Sequence, residues 1–288
     1  MTLRQQTLDF AAALQATYEP AEAAAIAGLV LEHLLALTPL QRRMQAATPV
    51  PEATAQRLSP LLTRLLAHEP VQYVLGVAYF ADMELEVSPA TLIPRPETEE
   101  LLRLIETDQP GRTGLRVLDV GTGTGCLALA LARRLPQSDV LAVDISVEAL
   151  AVARRNAANY APQVRFAPLD ILTQTPDIEP GTLDVLVSNP PYVRESEREL
   201  MRDNVLAWEP PTALFVPDDD PLLFYRRLAR LGRELLRPGG AIYLEINEKF
   251  GAETGALLTQ QQFQRVRVVA DMFGRSRLVR GTAPVSAE

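Results

Sequence analysis

The chain has 288 residues, of which 47% are hydrophobic and 22% are charged, a composition typical of a soluble globular protein with one sizeable domain and a smaller one. Its net charge of −8 argues against a surface built for long-range attraction to nucleic acid, so no direct nucleic-acid binding is expected. No stretch approaches the roughly 18 apolar residues of a membrane-spanning helix, so no membrane partner is expected either.

Rare residue types exclude several chemistries. The single cysteine, Cys126, rules out an internal disulfide, and residues 1–10 lack the basic start and apolar core of a signal peptide, so a cytoplasmic location is expected. The histidines, His33 and His68, lie in the first quarter of the chain, and the one lysine is Lys249. A Ser-His-Asp triad, a histidine-rich zinc site and a P-loop each lack an essential residue, and no metal site is expected.

Residues 2–69 show helical periodicity, with apolar side chains recurring every three or four positions. Thr38-Pro39 and Ser59-Pro60 each predict a helix start, because a hydroxyl can cap the first turn and proline at the first helical position sacrifices no hydrogen bond. We therefore predict a bundle of four or five short helices. The bundle either completes the fold or forms a docking surface for a macromolecular substrate, and its nearly balanced charges favour neither interpretation.

The segment that follows the bundle changes character. Between Val71 and Val87, apolar and aromatic residues partly alternate with polar ones, which predicts short strands in a hairpin. Ile93-Pro94-Arg95-Pro96-Glu97-Thr98-Glu99 then predicts an extended entry into a helix, because Pro-x-Pro favours extended backbone and acidic residues suit a helix N-terminus.

From Arg116 onward, apolar runs typical of strands alternate with helical stretches. This pattern predicts an α/β fold with a largely parallel sheet that is covered by helices on both faces. The predicted strands are 117–120, 140–143, 164–167, 183–187, 241–246 and 266–270. The predicted helices are 125–135, 147–160 and 221–236, the last ending at a turn over Arg237-Pro238-Gly239-Gly240.

A glycine-rich segment follows the first of these strands and precedes a helix, with the sequence Gly121-Thr122-Gly123-Thr124-Gly125. Glycines let the backbone turn tightly and approach a ligand, and the helix N-terminus favours an anionic group by roughly 0.3–1 kcal/mol. The third glycine comes one residue earlier than in the dinucleotide-binding pattern. The spacing is similar to the S-adenosylmethionine loop of class I methyltransferases, in which the anion is the methionine carboxylate. The alternative is a tight connection without a ligand.

Acidic residues follow the next two strands. Asp144 lies about 20 residues beyond the glycines, where an acid can accept hydrogen bonds from both ribose hydroxyls. A helix cap is the alternative for Asp144, but Ser146 already suits that position. In this fold class the residues after the third strand contact adenine, so Asp170 would bond the exocyclic amine and Ile171 would pack on the ring, although Asp170 equally suits a turn. Cys126 is expected to be a small buried side chain, since no histidine is near to activate it.

Ser188-Asn189-Pro190-Pro191-Tyr192 follows the fourth strand and therefore emerges at the same edge of the sheet as the glycine segment. Prolines cannot donate hydrogen bonds, so the Asn189 side-chain oxygen and the Pro190 carbonyl oxygen can both accept from a substrate NH2 group. They would aim its nitrogen at a methyl donor, while Tyr192 would stack on the planar group. We predict Asn189, Pro190 and Tyr192 as catalytic, Asn189–Tyr192 as substrate-binding, and Asn189 as a cofactor contact. An ordinary turn is the alternative.

Asn-Pro-Pro-Tyr resembles the motif of amino-methyltransferases that act on DNA adenine, on RNA or on protein glutamine. Over nearly its whole length the chain resembles one branch, the bacterial release factor glutamine methyltransferases. Besides the helical N-terminal region, the glycine segment and Asn-Pro-Pro-Tyr, the matching positions are Glu69–Gly76, Ile93–Glu99, Glu209-Pro210, Asp271, Gly274 and Arg277. Ile93–Glu99 discriminates best, because the related ribosomal-protein glutamine methyltransferases differ there. Asp82, where the family has glycine, and Ile171, where a larger side chain is common, depart from the pattern.

The resemblance implies a class I methyltransferase fold, with a Rossmann-like, seven-stranded, mostly parallel sheet. It implies a protein-(glutamine-N5) methyltransferase that uses S-adenosyl-L-methionine, yields S-adenosyl-L-homocysteine, and acts on the glutamine of the Gly-Gly-Gln motif in peptide chain release factors. The expected domains are a helical substrate-docking domain (1–70), a hairpin linker (71–92) and a methyltransferase domain (93–288). A nucleic acid adenine N6-methyltransferase, a glutamine methyltransferase acting on a ribosomal protein, and a non-catalytic binding module remain alternatives.

Overall fold

The computed structural model describes residues 1–285. The chain forms two compact units, one made of Met1–Val77 with Arg202–Trp208, the other of Ala78–Met201 with the chain from Glu209 onward. Each unit contains its own hydrophobic core. Residues 286–288, the end of the predicted methyltransferase domain, lie outside the described residues.

The first unit is helical, as predicted. Its core includes Leu14, Val30 and Leu31, each fully buried. The helices before the hairpin are α1 (Leu3–Leu14), α2 (Pro20–Leu35), α3 (Pro39–Met44), α4 (Glu52–Leu66) and α5 (Val71–Leu75). Thr38 caps α3, since its hydroxyl accepts a hydrogen bond from the Gln41 amide.

The helix start predicted at Ser59-Pro60 is wrong. Both residues lie inside α4, which begins seven residues before Ser59, at Glu52. Leu58 and Leu65 are both buried and lie seven residues apart, on one face of a helix. Burial of that apolar face outweighs the one backbone hydrogen bond that Pro60 cannot donate.

A hairpin opens the second unit. It pairs β1 (Val77–Phe80) with β2 (Met83–Glu86), so the strands predicted from Val71 begin later, after α5. Ala81 and Asp82 form the turn with φ of 47° and 62°, both in the left-handed region that the tightest hairpin turns require. Glycine adopts this conformation without strain, which fits the glycine of the family pattern at position 82, and aspartate is among the residues that tolerate it.

The seven-stranded sheet confirms the predicted fold class. Its order is β10-β11-β9-β6-β3-β4-β5, and the neighbours run parallel except for β11, which is antiparallel to both β9 and β10. The strands are β3 (Arg116–Val120), β4 (Asp139–Asp144), β5 (Arg165–Pro168), β6 (Leu183–Ser188), β9 (Leu236–Glu245), β10 (Gln264–Ala270) and β11 (Ser276–Thr282). A short parallel pair, β7 (Val193–Arg194) and β8 (Phe215–Val216), lies outside this sheet.

Helices cover both faces of the sheet. Along β6, Val185 and Val187 enter one core cluster while Leu186 enters the other, the alternation of a strand buried on both sides. The helices are α6 (Pro96–Asp108), α7 (Cys126–Arg134), α8 (Val147–Tyr160), α10 (Leu223–Leu235) and α11 (Gly251–Gln260), with the short α9 (Asp203–Trp208) belonging to the first unit. In residues 1–285 no helix has both the length and the apolar character needed to cross a membrane.

The turn predicted after α10 is instead the first half of β9. The pairing of β9 with β6 is irregular there, between Leu183 and Val185. A Cβ at Gly240 would lie 2.8 Å from the Leu183 carbonyl oxygen. This glycine therefore permits a close approach of two strands, which a sequence pattern cannot distinguish from a turn.

Candidate active site

A cavity of about 370 Å³ lies beyond the carboxyl ends of β3 and β6, where the strand order reverses. Open α/β sheets bind ligands at this switch point. Among the predicted site residues, the cavity is lined by Gly121, Thr122, Gly123, Thr124, Asp144, Asp170, Ile171, Asn189, Pro190 and Pro191. Gly125 and Tyr192 are not among the lining residues.

The glycine segment turns from β3 into α7 by left-handed backbone. Gly121, Gly123 and Gly125 have φ of 72°, 54° and 83°, values that glycine adopts without strain. The third glycine has a packing role, because a Cβ at Gly125 would come within 3.3 Å of the Ala153 Cβ on α8. The segment therefore combines two glycines that face the cavity with one that brings α7 and α8 together.

Asp144 braces this segment. Its carboxylate accepts a hydrogen bond from the Gly123 amide at 2.9 Å and another from the Ser146 amide at 2.9 Å. Ser146 caps α8 by accepting from the Ala149 amide, so the cap that was the alternative role for Asp144 belongs to Ser146. Burial is the largest influence on Asp144 and raises its pKa. The carboxylate still lines the cavity.

Asp170 and Ile171 both lie at the cavity wall. The Asp170 carboxylate accepts from the Leu172 amide at 3.0 Å and from the Thr173 hydroxyl at 2.8 Å, which makes it a turn residue as well as a wall residue. Ile171 is buried in the core cluster that also contains Leu186, called here the second core cluster. Its aliphatic side chain gives this part of the wall an apolar surface.

Asp119 is a site residue that the sequence reasoning did not single out. It is buried in β3, lines the cavity, and accepts from the Thr122 hydroxyl at 2.6 Å through Oδ2. Its other oxygen, Oδ1, has no hydrogen-bond partner, and the nearby Ala128 amide in the first turn of α7 acts to lower the pKa of Asp119. Burial raises the pKa of Asp119 to about 7. An acid two residues before the first glycine of the segment was the available sequence signal.

A chain of hydrogen bonds runs behind Asn189. The Asn189 Nδ2 group donates to the Thr98 hydroxyl at 3.3 Å, and that hydroxyl donates to Glu245 Oε2 at 2.8 Å. The Tyr192 hydroxyl donates to the other carboxylate oxygen, Oε1, at 3.2 Å. Glu245 is 1% exposed, and burial raises its pKa to about 7. Thr98 belongs to the Ile93–Glu99 segment, for which the sequence predicted an entry into a helix but no contact with Asn189.

Tyr192 is partly buried and packs on the second core cluster. Burial is also the main reason that the pKa of its hydroxyl is raised. With its hydroxyl anchored on Glu245, Tyr192 holds the end of the tetrapeptide in place. Stacking of Tyr192 on a substrate, and its catalytic role, stay predictions.

A second buried carboxylate fixes the Ile93–Glu99 segment. Glu209 is 3% exposed and accepts from the Arg95 guanidinium at 2.5 Å and from the Ile93 amide at 3.4 Å. Arg95 lines the cavity beside Thr98. The buried Glu209 and the partly exposed Arg95 form a charge-assisted hydrogen bond, which ties the approach to α6 to Glu209 on the cavity side.

Comparison with known proteins identifies the family. Residues 7–76 match the PrmC N-terminal domain, and residues 97–209 match the methyltransferase small domain. The chain is 44% identical to a release factor glutamine methyltransferase of Bacteroides thetaiotaomicron over 92% of this chain and 95% of that protein. The protein of that name from Flavobacterium psychrophilum is 35% identical over 97% and 99%, and that from Streptococcus pneumoniae is 43% identical over 79% and 80%.

The chain belongs to the release factor glutamine methyltransferase family. The resemblance inferred from the motifs is thereby confirmed, and so is the assignment of the chain to an enzyme class, the protein-(glutamine-N5) methyltransferases.

Cys126 is partly buried beside Asp119, and burial raises the pKa of its thiol to about 12, so the thiol stays protonated. Within residues 1–285, no three histidine, cysteine or acidic side chains are placed to hold a metal ion.

Proposed function

We propose that this enzyme transfers a methyl group from S-adenosyl-L-methionine to the side-chain amide nitrogen of the glutamine in the Gly-Gly-Gln motif of peptide chain release factors. The observation that carries the proposal is the orientation of the Asn189 amide. Its NH2 group is directed to Thr98, which leaves Oδ1 free to accept a hydrogen bond at the cavity. A site that presents acceptors suits an NH2 group.

The cavity residues fit the proposed cofactor. Asp119 Oδ1 is a buried acceptor without a partner, which suits an ammonium group such as that of a methionine moiety. Asp144 would accept from the ribose hydroxyls, Asp170 and Ile171 would contact the adenine, and the start of α7 would face the carboxylate. The cofactor would supply an electrophilic methyl group.

The chemistry required of the protein is alignment and charge stabilisation. Asn189 Oδ1 and the Pro190 carbonyl oxygen would accept the two N–H groups of the substrate amide and so fix the direction of its nitrogen. The same two oxygens would stabilise the positive charge that develops on this nitrogen, and the proton would leave to solvent afterwards. No histidine base is needed, which agrees with the absence of histidine after His68.

The domain organisation is part of the proposal. Residues 1–70 would grip the release factor, residues 71–92 would link this region to the rest of the chain, and residues 93–288 would carry the methyltransferase. The proposed linker spans the boundary between the two compact units, since residues 71–77 belong to the first unit and the hairpin from Ala78 onward to the second. The match of residues 7–76 to a domain model named for this family supports a specific role for the helical unit. The cytoplasm, where release factors act, is the proposed location.

The test is transfer of label from methyl-labelled cofactor to purified acceptors. We expect label in a release factor and none in the same factor with the Gly-Gly-Gln glutamine replaced by alanine. Parallel reactions contain adenine-bearing DNA and ribosomal proteins. Label that appears in either of these and not in the release factor would contradict the proposal.

A further inference from the structure

Glu245 is a buried carboxylate for which the proposed function has no role. It ends β9 and is 1% exposed, and both of its oxygens accept hydrogen bonds from hydroxyl groups, Thr98 on α6 and Tyr192 after β6. Burying a carboxylate costs free energy, which hydrophobic side chains in its place would avoid. A group retained at such a cost invites a functional explanation.

While Glu245 is ionised, the hydrogen-bond chain has a fixed polarity. An ionised carboxylate can only accept, so the Thr98 proton must point to Glu245. The lone pairs of Thr98 are then what faces Asn189, and they can be satisfied only by the Nδ2 group. The negative charge therefore determines, through one hydroxyl, which end of the Asn189 amide faces away from the cavity.

The orientation of this amide decides whether the site can work. Its two ends have nearly the same shape, so sterics alone do not distinguish them. A flipped amide would present N–H groups to the N–H groups of the substrate, and no hydrogen bond would form. The chain of hydrogen bonds removes this alternative before the substrate arrives, which is preorganisation in the sense that matters for catalysis.

We propose that Glu245 and Thr98 are positioning residues, which hold Asn189 with its side-chain oxygen toward the substrate amide. The proposal deepens the function proposed above and rests on it. The same carboxylate also anchors Tyr192, so a single group ties down both ends of the segment Asn189–Tyr192.

Thr98→Val tests the hydrogen-bonded connection from Glu245 to Asn189, because valine keeps the shape of threonine and lacks the hydroxyl. We expect kcat for release factor methylation to fall about tenfold to hundredfold, the usual effect of a loosened reacting geometry, with an unchanged cofactor Kd. Thr98→Ser should restore most of the loss. Thr107→Val is the matched control, since Thr107 is an exposed threonine on the same helix whose hydroxyl bonds only to the Arg103 backbone.

A double-mutant cycle separates positioning from a general structural role. Thr98→Val should cost little further kcat when introduced into Asn189→Ala, because the group that it positions is already gone. Glu245→Gln, whose amide can donate as well as accept, should lower kcat about tenfold for the same reason and be equally non-additive. Effects that add fully in both cycles would show that Thr98 and Glu245 act elsewhere and would overturn the inference.

Three further outcomes distinguish failure of this inference from failure of the proposed function. Normal kcat in Thr98→Val, with an active wild-type enzyme, overturns this inference and leaves the proposed function standing. A wild-type enzyme that puts no label into the release factor overturns the proposed function, and the inference with it. If Thr98→Val fails to fold, the kcat of Glu245→Gln decides. If both variants fold and both lose cofactor binding, the role of Thr98 and Glu245 is structural and the positioning inference is refuted.

Discussion

Two buried carboxylates lie near the cavity, Asp119 in its lining and Glu245 behind it, in contact with the lining residue Thr98. Asp119 in β3 and Glu245 in β9 are each 1% exposed, and burial raises the pKa of each to about 7. Glu245 has a donor on both oxygens, whereas Asp119 has one only on Oδ2. Similar burial thus accompanies two different states of hydrogen bonding.

The difference indicates two different roles. A buried acceptor without a partner costs about 1–3 kcal/mol, which the binding of a ligand can recover. This supports the proposal that Asp119 binds a cationic group of the cofactor. Glu245 has a donor on each oxygen and does not line the cavity, so its influence on the reaction must pass through the side chains that it orients. The predictions below separate ligand binding from orientation.

The largest effect is expected for Asn189→Ala, which removes the group that Glu245 is proposed to orient. Transfer should fall by roughly 10²–10³, the usual effect of losing one preorganised polar contact in the transition state, while cofactor binding largely survives. Single-turnover rates with a release factor measure it. Asn159→Ala, at an exposed position on α8, is the control. Near-normal turnover would mean that other groups hold the amide.

Asp119→Asn should weaken cofactor binding and leave the orientation of the Asn189 amide unchanged. Loss of the negative charge that faces the cavity should raise the Kd for the cofactor about tenfold to hundredfold, as for other hydrogen bonds to charged groups. At saturating cofactor, kcat should change much less. Calorimetric titration gives Kd, and Asp139→Asn, an exposed position at the start of β4, is the control. An unchanged Kd would remove Asp119 from the cofactor site.

Acidic pH should disturb the orientation of the Asn189 amide, because Glu245 becomes protonated. With a pKa of about 7, Glu245 is protonated at lower pH, can then donate, and no longer enforces the polarity of Thr98. At saturating cofactor, kcat should therefore decline as pH falls from 8 to 6, by up to about tenfold. Thr98→Val should lack this decline, and an identical pH profile in that variant would contradict the explanation.

The charged and titratable groups around Glu245 do not reverse this sign. They are Glu97, Cys126, Tyr192, Tyr225 and Arg277. The positive charge of Arg277 lowers the pKa of Glu245, and Glu97 raises it. The pKa values of Cys126, Tyr192, Tyr225 and Arg277 are themselves raised from ordinary values already above 8, so these groups keep their charge state between pH 6 and 8.

Ionisation of the two buried carboxylates should also make the stability of the fold depend on pH. Asp119 and Glu245 have folded-state pKa values above their usual values of 3.8 and 4.5, so they favour folding most below about pH 4 and lose this contribution as pH rises through 7. Asp119→Asn and Glu245→Gln cannot ionise. The Tm of each variant relative to wild type should therefore rise between pH 4 and 8, by about 2–4 °C for each kcal/mol relieved. A pH-independent difference would show that neither group titrates abnormally.

Most of the fold followed from hydrophobic patterning. The strands around Val117 and Val185 are apolar runs because both of their faces are buried, and such runs are conspicuous. The pattern missed β11, in which Arg277 and Arg280 interrupt the apolar residues. Arg280 pairs with Asp108 on α6, far away in sequence, so its burial could not be foreseen from neighbouring residues.

The site divides in the same way. The glycine segment and Asn189 could be located from the sequence, because a strand, a turn residue and a helix follow one another within a few positions. Thr98 and Glu245 are separated by 147 residues, and their hydrogen bond exists only because α6 packs beside β9. Tyr192 stands next to Pro191 in the motif, yet its hydroxyl is directed to Glu245 and not to the cavity.

The sequence by itself therefore determined the fold class, the family resemblance, and the two loops that define the cavity, because local periodicity and short motifs encode them. Only the tertiary structure decided how the buried carboxylates are used. A buried acid can keep one oxygen without a partner, as Asp119 does, or accept hydrogen bonds from hydroxyl groups on both oxygens, as Glu245 does. Which of these occurs depends on elements that meet in space and are distant along the chain.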